Sequence, residues 1–368
     1  MKKRPAPSIG KPLRLGILGA GAISRIIHIP IWSGMNDIQL VAISDTLSSA
    51  RARAREICPT ARIYDDADSM FESEELDIVD ICTPASTHFA LVSKALSAGC
   101  HVICEKPIAT SVEEARRLGK LADEAGLQLC VLLNYRYREA GAKARRWLDC
   151  GCLGDPISAL VTHHGRHLLN EAPSFWKGVD GLALLLDLGI HHIDLATWLL
   201  GPCTDIKYLE ESWYQPVSSD QPLLTALFAI ATFGNGVRVT LDIAQDSTKY
   251  SATVSSLSIC CTGADLELGH FPSYAVAKSG NPNPLSRPFV EAKVAASVAM
   301  KLATRQYDKF RNQSHLDIFR GFLDAVRGVG VVPVRAEDAL PALECIEMIR
   351  DHLSGPSVED ARSATANT

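Results

Sequence analysis

The chain has no excess of positive charge. Its formal net charge is −5 over 368 residues, so nothing electrostatic draws it to nucleic acid or to an anionic membrane. The one basic run, Arg51, Arg53 and Arg55, reads as a solvated helix face rather than a phosphate patch. Paired cysteine clusters are missing too. There are eleven cysteines, an odd number, and Cys82, Cys104 and Cys130 sit in apolar runs, where a free thiol packs as a small hydrophobe. Cys150 with Cys152, and Cys260 with Cys261, lack the second pair that a structural zinc site needs. The expectation is therefore a reducing, cytoplasmic compartment and no metal. The segment MKKRPAPSIGKP has no apolar core of the kind a secretory signal requires, so residues 1–12 read as a disordered tail and 356–368 as a flexible one. No long apolar run is free of polar groups. LALLLDLGIHHIDLATWLL, residues 182–200, carries Asp187, His191, His192 and Asp194, which are costly in lipid, so a buried helix is expected there and no membrane span. There is no internal repeat and no low-complexity segment.

What is present is an ordinary soluble composition, 47% apolar and 21% charged, on a chain longer than one core usually organises, so two domains are expected. LRLGIL reads as a strand, GAGAIS follows at once, a helical segment runs on from Ile26, and IQLVAISD is a second strand ending in Asp45. This is the order of a dinucleotide-binding unit. Gly19 permits the tight turn and Gly21 lets the backbone approach a pyrophosphate. The following N–H groups, from Ala22 and Ile23 on, present a helix N-terminus to that anion. Ser24 stands where the fingerprint has its third glycine. Asp45 follows at about the spacing of a carboxylate that accepts hydrogen bonds from the adenine ribose. It would repel a 2′-phosphate, so NAD is expected over NADP.

The alternation continues through LDIVDICTP, a helix over 86–99 stopped by Gly99, HVICEKP, a helix over 111–126 opened by Ser111 with Glu114 and closed by Gly126, and LQLCVLLNYR. Fully apolar short strands between amphipathic helices imply a parallel sheet covered on both faces. Ligands of such sheets bind outside the carboxyl ends of the strands, which is where Thr83, Pro84, Glu105, Lys106, Asn134 and Arg136 fall. His88 is placed with the cofactor-lining residues, bracing the crevice, without a chemical role. In the second half, Asp187, His191 and Asp194 have the four- and three-residue spacing of one helix face, with His192 about 100° away.

Taken in order, GAGAIS, CTPASTH, CEKPIA, NYRY and DLGIHHIDLATWLLG resemble the oxidoreductases named for glucose–fructose oxidoreductase, inositol dehydrogenase and the rhizopine-catabolism protein (Gfo/Idh/MocA). The similarity covers roughly residues 13–201 and runs on weakly to FLDAVRGVGVVPVRAEDALPALECIEMI. The resemblance implies an α/β protein: an N-terminal Rossmann domain, a doubly wound parallel sheet, over 13–136. It also implies a C-terminal α/β domain with an open, mostly antiparallel sheet over 137–355 that binds substrate and forms homodimers or homotetramers. It implies a cis Lys106–Pro107 peptide that would orient Lys106 beside the nicotinamide. One departure from the family is the approach DGLALLLD, which has only Gly181 where the family is glycine-rich.

Oxidising a secondary alcohol requires a base for the hydroxyl proton as the hydride leaves, and histidine is suited to it. His191 is expected as general acid/base, Lys106 as the donor that stabilises developing alkoxide charge, and Asp187 as the group that binds a neighbouring hydroxyl and steadies the base. Asp194 is left between a supporting and a structural role. Glu105 either holds the cofactor or braces Lys106, and both stay open. In THHGRH, strand alternation groups His163 with His167, and His164 with Arg166. His164, Arg166 and Arg136 are placed in the substrate pocket. The expectation is thus an NAD-dependent dehydrogenase acting on a sugar, cyclitol or related polyol. The alternatives are an NAD-dependent glycosidase that oxidises its substrate transiently and a non-catalytic sugar-sensing protein. Reduction of an imine or tetrapyrrole-like substrate is disfavoured by the Glu-Lys-Pro and Asp…His motifs.

Overall fold

The structure, a computed structural model, describes residues 11–165, 181–214, 222–245, 254–270, 273–279 and 306–353. The chain forms two compact units: Met1–Leu133 with His315–Leu340, and Asn134–Ser314 with Pro341–Thr368. The sequence reading drew one division after residue 136. The contacts place it after Leu133 and return residues 315–340 to the first unit.

In the first unit, β1 (Leu13–Leu18), β2 (Ile38–Ser44), β3 (Arg62–Tyr64), β4 (Ile78–Ile81), β5 (His101–Cys104) and β6 (Leu129–Val131) form one sheet in the order β3-β2-β1-β4-β5-β6. Every pairing is parallel. Apart from the edge strand β3, the strands are largely buried because helices return over the crossovers: α1 (Ile29–Ser33), α2 (Ser48–Ile57), α3 (Ala67–Ser73), α4 (His88–Ser97) and α5 (Val112–Ala125). Two caps set the helix ends. Asp66 accepts the Ser69 N–H at 2.8 Å to open α3. Ser111 accepts the Glu114 N–H to open α5, while the Glu114 carboxylate turns back to Thr110 rather than to Ser111 itself. Gly126, at φ +67°, closes α5 in the left-handed conformation. From the helix Gln306–Val326, Ile318, Phe319 and Phe322 enter this core, and Phe319 stacks on Trp32 at 4.2 Å. Val131 donates to the Val334 carbonyl, joining the sheet edge to the late segment.

The second unit holds a seven-stranded sheet in the order β13-β12-β11-β7-β10-β9-β8. The strands are β7 (Pro156–Gly165), β8 (Cys203–Tyr214), β9 (Leu223–Phe233), β10 (Val237–Gln245), β11 (Val254–Cys261), β12 (Ala264–His270) and β13 (Ser273–Ser279). Only the β7–β10 pairing is parallel, so the sheet is mostly antiparallel as expected. Period-two burial along β7 puts Ala159, Val161 and His163 on the face that meets the helices and Leu160 on the other. The helices are α6 (Glu139–Asp149) and α7 (Ile190–Leu200). After α6, Cys150 and Cys152 are joined in a disulfide, which the expectation of free thiols did not include. Among the described residues no helix is long and apolar enough to cross a membrane, and the segment 182–200 is a buried helix. The proline-rich segment NPNPLSRPF, residues 281–289, lies outside the described residues.

Candidate active site

Parallel strands end on one edge of their sheet, so the first unit gathers at that edge the residues that follow β1, β2, β4 and β5. Gly19 has φ +93°, and a Cβ there would lie 2.7 Å from the Cys82 carbonyl, so only glycine fits the turn after β1. Asp45 reaches that turn: its Oδ2 accepts the Ala20 N–H at 2.7 Å and its Oδ1 the Leu47 N–H at 2.8 Å. Gly21 and Ala22 are exposed, Ile23 is half-buried, and a Cβ on Gly21 would meet nothing within 4 Å. The helix begins at once with a widened turn, Ser24–His28, before α1. The Ser24 hydroxyl, at the third-glycine position, is buried without a hydrogen-bond partner. An open glycine, a helix start and an unsatisfied hydroxyl are a set that fits the pyrophosphate of a dinucleotide.

Beyond β4 and β5, His88 links the two strand ends. Its ring nitrogens lie 2.6 Å from the Pro107 carbonyl and 2.8 Å from the Thr83 carbonyl, and burial pushes its pKa down against those two contacts. Thr83 also accepts from the Thr87 hydroxyl, and Pro84 is exposed. The Lys106–Pro107 peptide is cis and Lys106 is half-buried. Glu105 is buried. Its Oε2 accepts the Lys106 N–H at 3.2 Å and its Oε1 lies 3.1 Å from His28 Nε2. His28 Nδ1 in turn lies 2.7 Å from Asp80 Oδ2, which also takes the Trp32 indole N–H at 2.6 Å. Cys82 lies 3.2 Å from His28 Nδ1 and donates to Asp80 Oδ1 at 3.5 Å. His28, Asp80 and Cys82 are close enough to offer ligands to a cation. Their separations, however, are those of hydrogen bonds already made, and Trp32 offers only a donor. The sequence reading missed this cluster because its members come from three distant segments.

In the second unit, Asn134–Tyr137 forms a short helical turn after β6. Asn134 and Arg136 are buried. Arg136 grips Asp194 bidentately, Nε to Oδ2 at 3.0 Å and Nη2 to Oδ1 at 2.6 Å. Asp194 is thereby a structural partner, and Arg136, read from sequence as a substrate ligand, spends two donors inside the protein. The Tyr135 ring, which the sequence reading passed over, stacks on His191 at 4.5 Å and 13°, meets His192 edge-on at 5.4 Å, and carries Arg138 4.0 Å above it. Its signal was an aromatic residue lying between two residues already singled out.

Asp187 lies within a second widened turn, Leu184–Gly189, that leads into α7. Its spacing to His191 is therefore not that of a regular α-helix, as the sequence reading took it to be. His192 points into the unit's core, with Nε2 3.1 Å from His163 Nδ1 and 3.3 Å from Ser255 Oγ. His164 sits on the opposite face of β7 from His163, 2.9 Å from Asp242. It is thus separated by the sheet from the helix that carries Asp187 and His191, because neighbouring residues of a strand face opposite ways. Arg166 lies outside the described residues.

A parallel six-stranded sheet with a dinucleotide turn, joined in sequence to an open mixed sheet, defines an NAD-binding oxidoreductase scaffold. The profile described as the oxidoreductase family, NAD-binding Rossmann fold, matches residues 13–133, and the GFO/IDH/MocA C-terminal domain matches 142–267; the chain belongs to the GFO/IDH/MocA oxidoreductase family. It is 33% identical over 196 residues to the D-glucoside 3-dehydrogenase of Escherichia coli, covering 52% of this chain and 54% of that one. It is 29% identical over 189 residues to the inositol 2-dehydrogenase of Paracoccus denitrificans, covering 51% and 54%. The chain thus matches about half the length of these relatives. In fold it is similar to the WlbA dehydrogenase of Bordetella pertussis, solved with NADH and UDP-GlcNAcA, at TM-score 0.77 and 20% identity over 94% of this chain and 98% of that one.

Proposed function

We propose that the protein is an NAD-dependent dehydrogenase that moves a hydride between a secondary hydroxyl of a sugar, cyclitol or related polyol and the nicotinamide. The observation that carries this is the place of Lys106: it follows β5 at the same sheet edge as the Gly19 turn and Asp45. Relatives named for glucoside and inositol oxidation support the substrate class. Bound NAD would supply the hydride acceptor. Gly19, Gly21, Ala22 and Ile23 would hold its pyrophosphate, Asp45 its ribose, and Thr83, Pro84, His88 and Asn134 its remaining length.

In the second unit, the stacked Tyr135 fixes the plane of His191, which leaves the ring oriented to take the hydroxyl proton. Asp187 binds a neighbouring hydroxyl, and Lys106 donates to the reacting oxygen. The domain roles, a cofactor domain and a substrate and assembly domain, belong to the same reading. So do a homo-oligomer formed through the open sheet and a cytoplasmic location. The test is a polyol panel with NAD, followed by NADH absorbance, on wild type, Lys106→Ala and His191→Ala. Turnover falls about 100-fold or more in both variants while NAD binding is kept. Glycoside cleavage without net NADH would replace this reading with the hydrolytic one.

A further inference from the structure

His28 does work that the proposed chemistry does not use. Its ring is wholly buried, yet each nitrogen faces a carboxylate oxygen: Nδ1 at 2.7 Å from Asp80 and Nε2 at 3.1 Å from Glu105. A carboxylate only accepts, and a neutral imidazole carries one N–H, so the ring satisfies both partners only as an imidazolium with two. The rest of the surroundings agrees. Trp32 supplies another donor to Asp80, and Cys82 donates to the other Asp80 oxygen. Phe319 lies against both the His28 and Trp32 rings and keeps water out. The titratable groups facing His28 are Asp80 in β4, Cys82 just after it, Glu105 after β5 with Lys106 beside that carboxylate, and His315 from the helix Gln306–Val326, 6.1 Å away between ring centres.

We propose that His28 is a positioning residue for Lys106: an imidazolium clamped between Asp80 and Glu105, it keeps Glu105 a carboxylate and holds the second Glu105 oxygen on the Lys106 backbone N–H. The proposal rests on the reading of Lys106 given above, and it extends that reading to a residue on the helical turn after β1. The energetics follow from charge. Two carboxylates buried without a cation between them are not both ionised. Without His28, one takes up a proton, Glu105 loses its anchoring charge, and Lys106 leaves the strand end in several orientations. Burial alone would push the Glu105 carboxyl up. The His28 hydrogen bond and charge, with Lys106 beside it, bring it down to about 2. Burial likewise disfavours charge on His28, and Asp80 and Cys82 reverse that, raising its pKa well above the usual histidine range.

Two measurements on the full chain test this. In the first, ¹⁵N-histidine and ¹³C-glutamate NMR of wild type shows both His28 ring nitrogens protonated from pH 6 to 8. It also shows a Glu105 carboxylate that takes up its proton at a clearly higher pH in His28→Gln than in wild type. A neutral His28 tautomer at pH 7, or an unchanged Glu105 signal in the variant, overturns the proposal whether or not a substrate is in hand. The second compares kcat of wild type and His28→Gln across pH. The deficit is about 30-fold near pH 6 and shrinks to a few-fold near pH 9 as Glu105 ionises again, with KM for NAD within about threefold. A merely structural defect gives a deficit independent of pH, and that result overturns the positioning role. Asp80→Asn, which removes the carboxylate on the other side, lowers His28 protonation in the same NMR assay; no change there counts against the clamp. Full turnover by Lys106→Ala would instead sink the site reading, so the two failures are distinguishable.

Discussion

The Arg136–Asp194 pair offers a sharp test of how the second unit is held together. Asp194→Leu removes the carboxylate that holds the Arg136 guanidinium bidentately at a side-chain exposure of 8%. Breaking a buried ion pair from one side costs about 3–5 kcal/mol, because the remaining charge loses its carboxylate. Replacing both partners, Arg136→Met with Asp194→Leu, removes that charge and recovers most of the loss. Trp198 is a built-in reporter, since the Arg136 guanidinium lies 5.8 Å from its ring. With a urea slope of about 2 kcal/mol per molar, the fluorescence midpoint of the single variant falls by about 1.5–2.5 M, and that of the double variant by less than about 1 M. A single variant within about 0.5 M of wild type would show that the pair is exposed in solution. A double variant no better than the sum of its single changes would refute the uncompensated-charge reasoning.

Further outcomes follow from the first unit. Asp45→Ala narrows the preference for NAD over NADP about tenfold or more, measured as the ratio of kcat/KM for the two cofactors, because the carboxylate that repels a 2′-phosphate is gone. Gly19→Ala forces a Cβ to 2.7 Å from the Cys82 carbonyl at φ +93°, costs about 1–3 kcal/mol, and weakens NADH binding in a fluorescence titration. Glu105, held at about 2 against its ordinary 4.5, contributes about 3 kcal/mol of stability above pH 4.5. That contribution is lost as pH falls from about 4.5 towards 2, since the unfolded chain takes up the proton first. Unfolding free energies from pH 7 to 3 show this loss in wild type and not in Glu105→Gln. His28, whose pKa is raised, has the opposite sign: its contribution is full below about pH 6.5 and is lost as pH rises through its folded value.

The first unit was largely legible in sequence because its signals are local. Apolar runs, Gly19, Gly126, Ser111 with Glu114, and Asp45 at a strand end each report a backbone need a few residues wide. The second unit's mostly antiparallel sheet was legible through the family resemblance, not through a local pattern. What the sequence hid depends on long-range packing or on helix pitch. His28, Asp80 and Glu105 come from three segments and meet only when β4 and β5 pair in parallel. The Arg136–Asp194 pair spans α7 and the turn after β6. The widened turn at Leu184–Gly189 alters the spacing that α-helical periodicity assumes for Asp187 and His191. Phe319 and its helix return to the first unit from far along the chain, which no local pattern announces.

In the proposed reaction a polyol hydroxyl is oxidised by NAD with the help of Lys106 and His191. The most direct measurement is NADH formation across a panel of sugars and cyclitols by wild type, with Lys106→Ala and His191→Ala run at saturating NAD. Turnover on at least one polyol is expected, with a loss of about 100-fold or more in each variant and cofactor binding intact. Near wild-type turnover in both variants would contradict it.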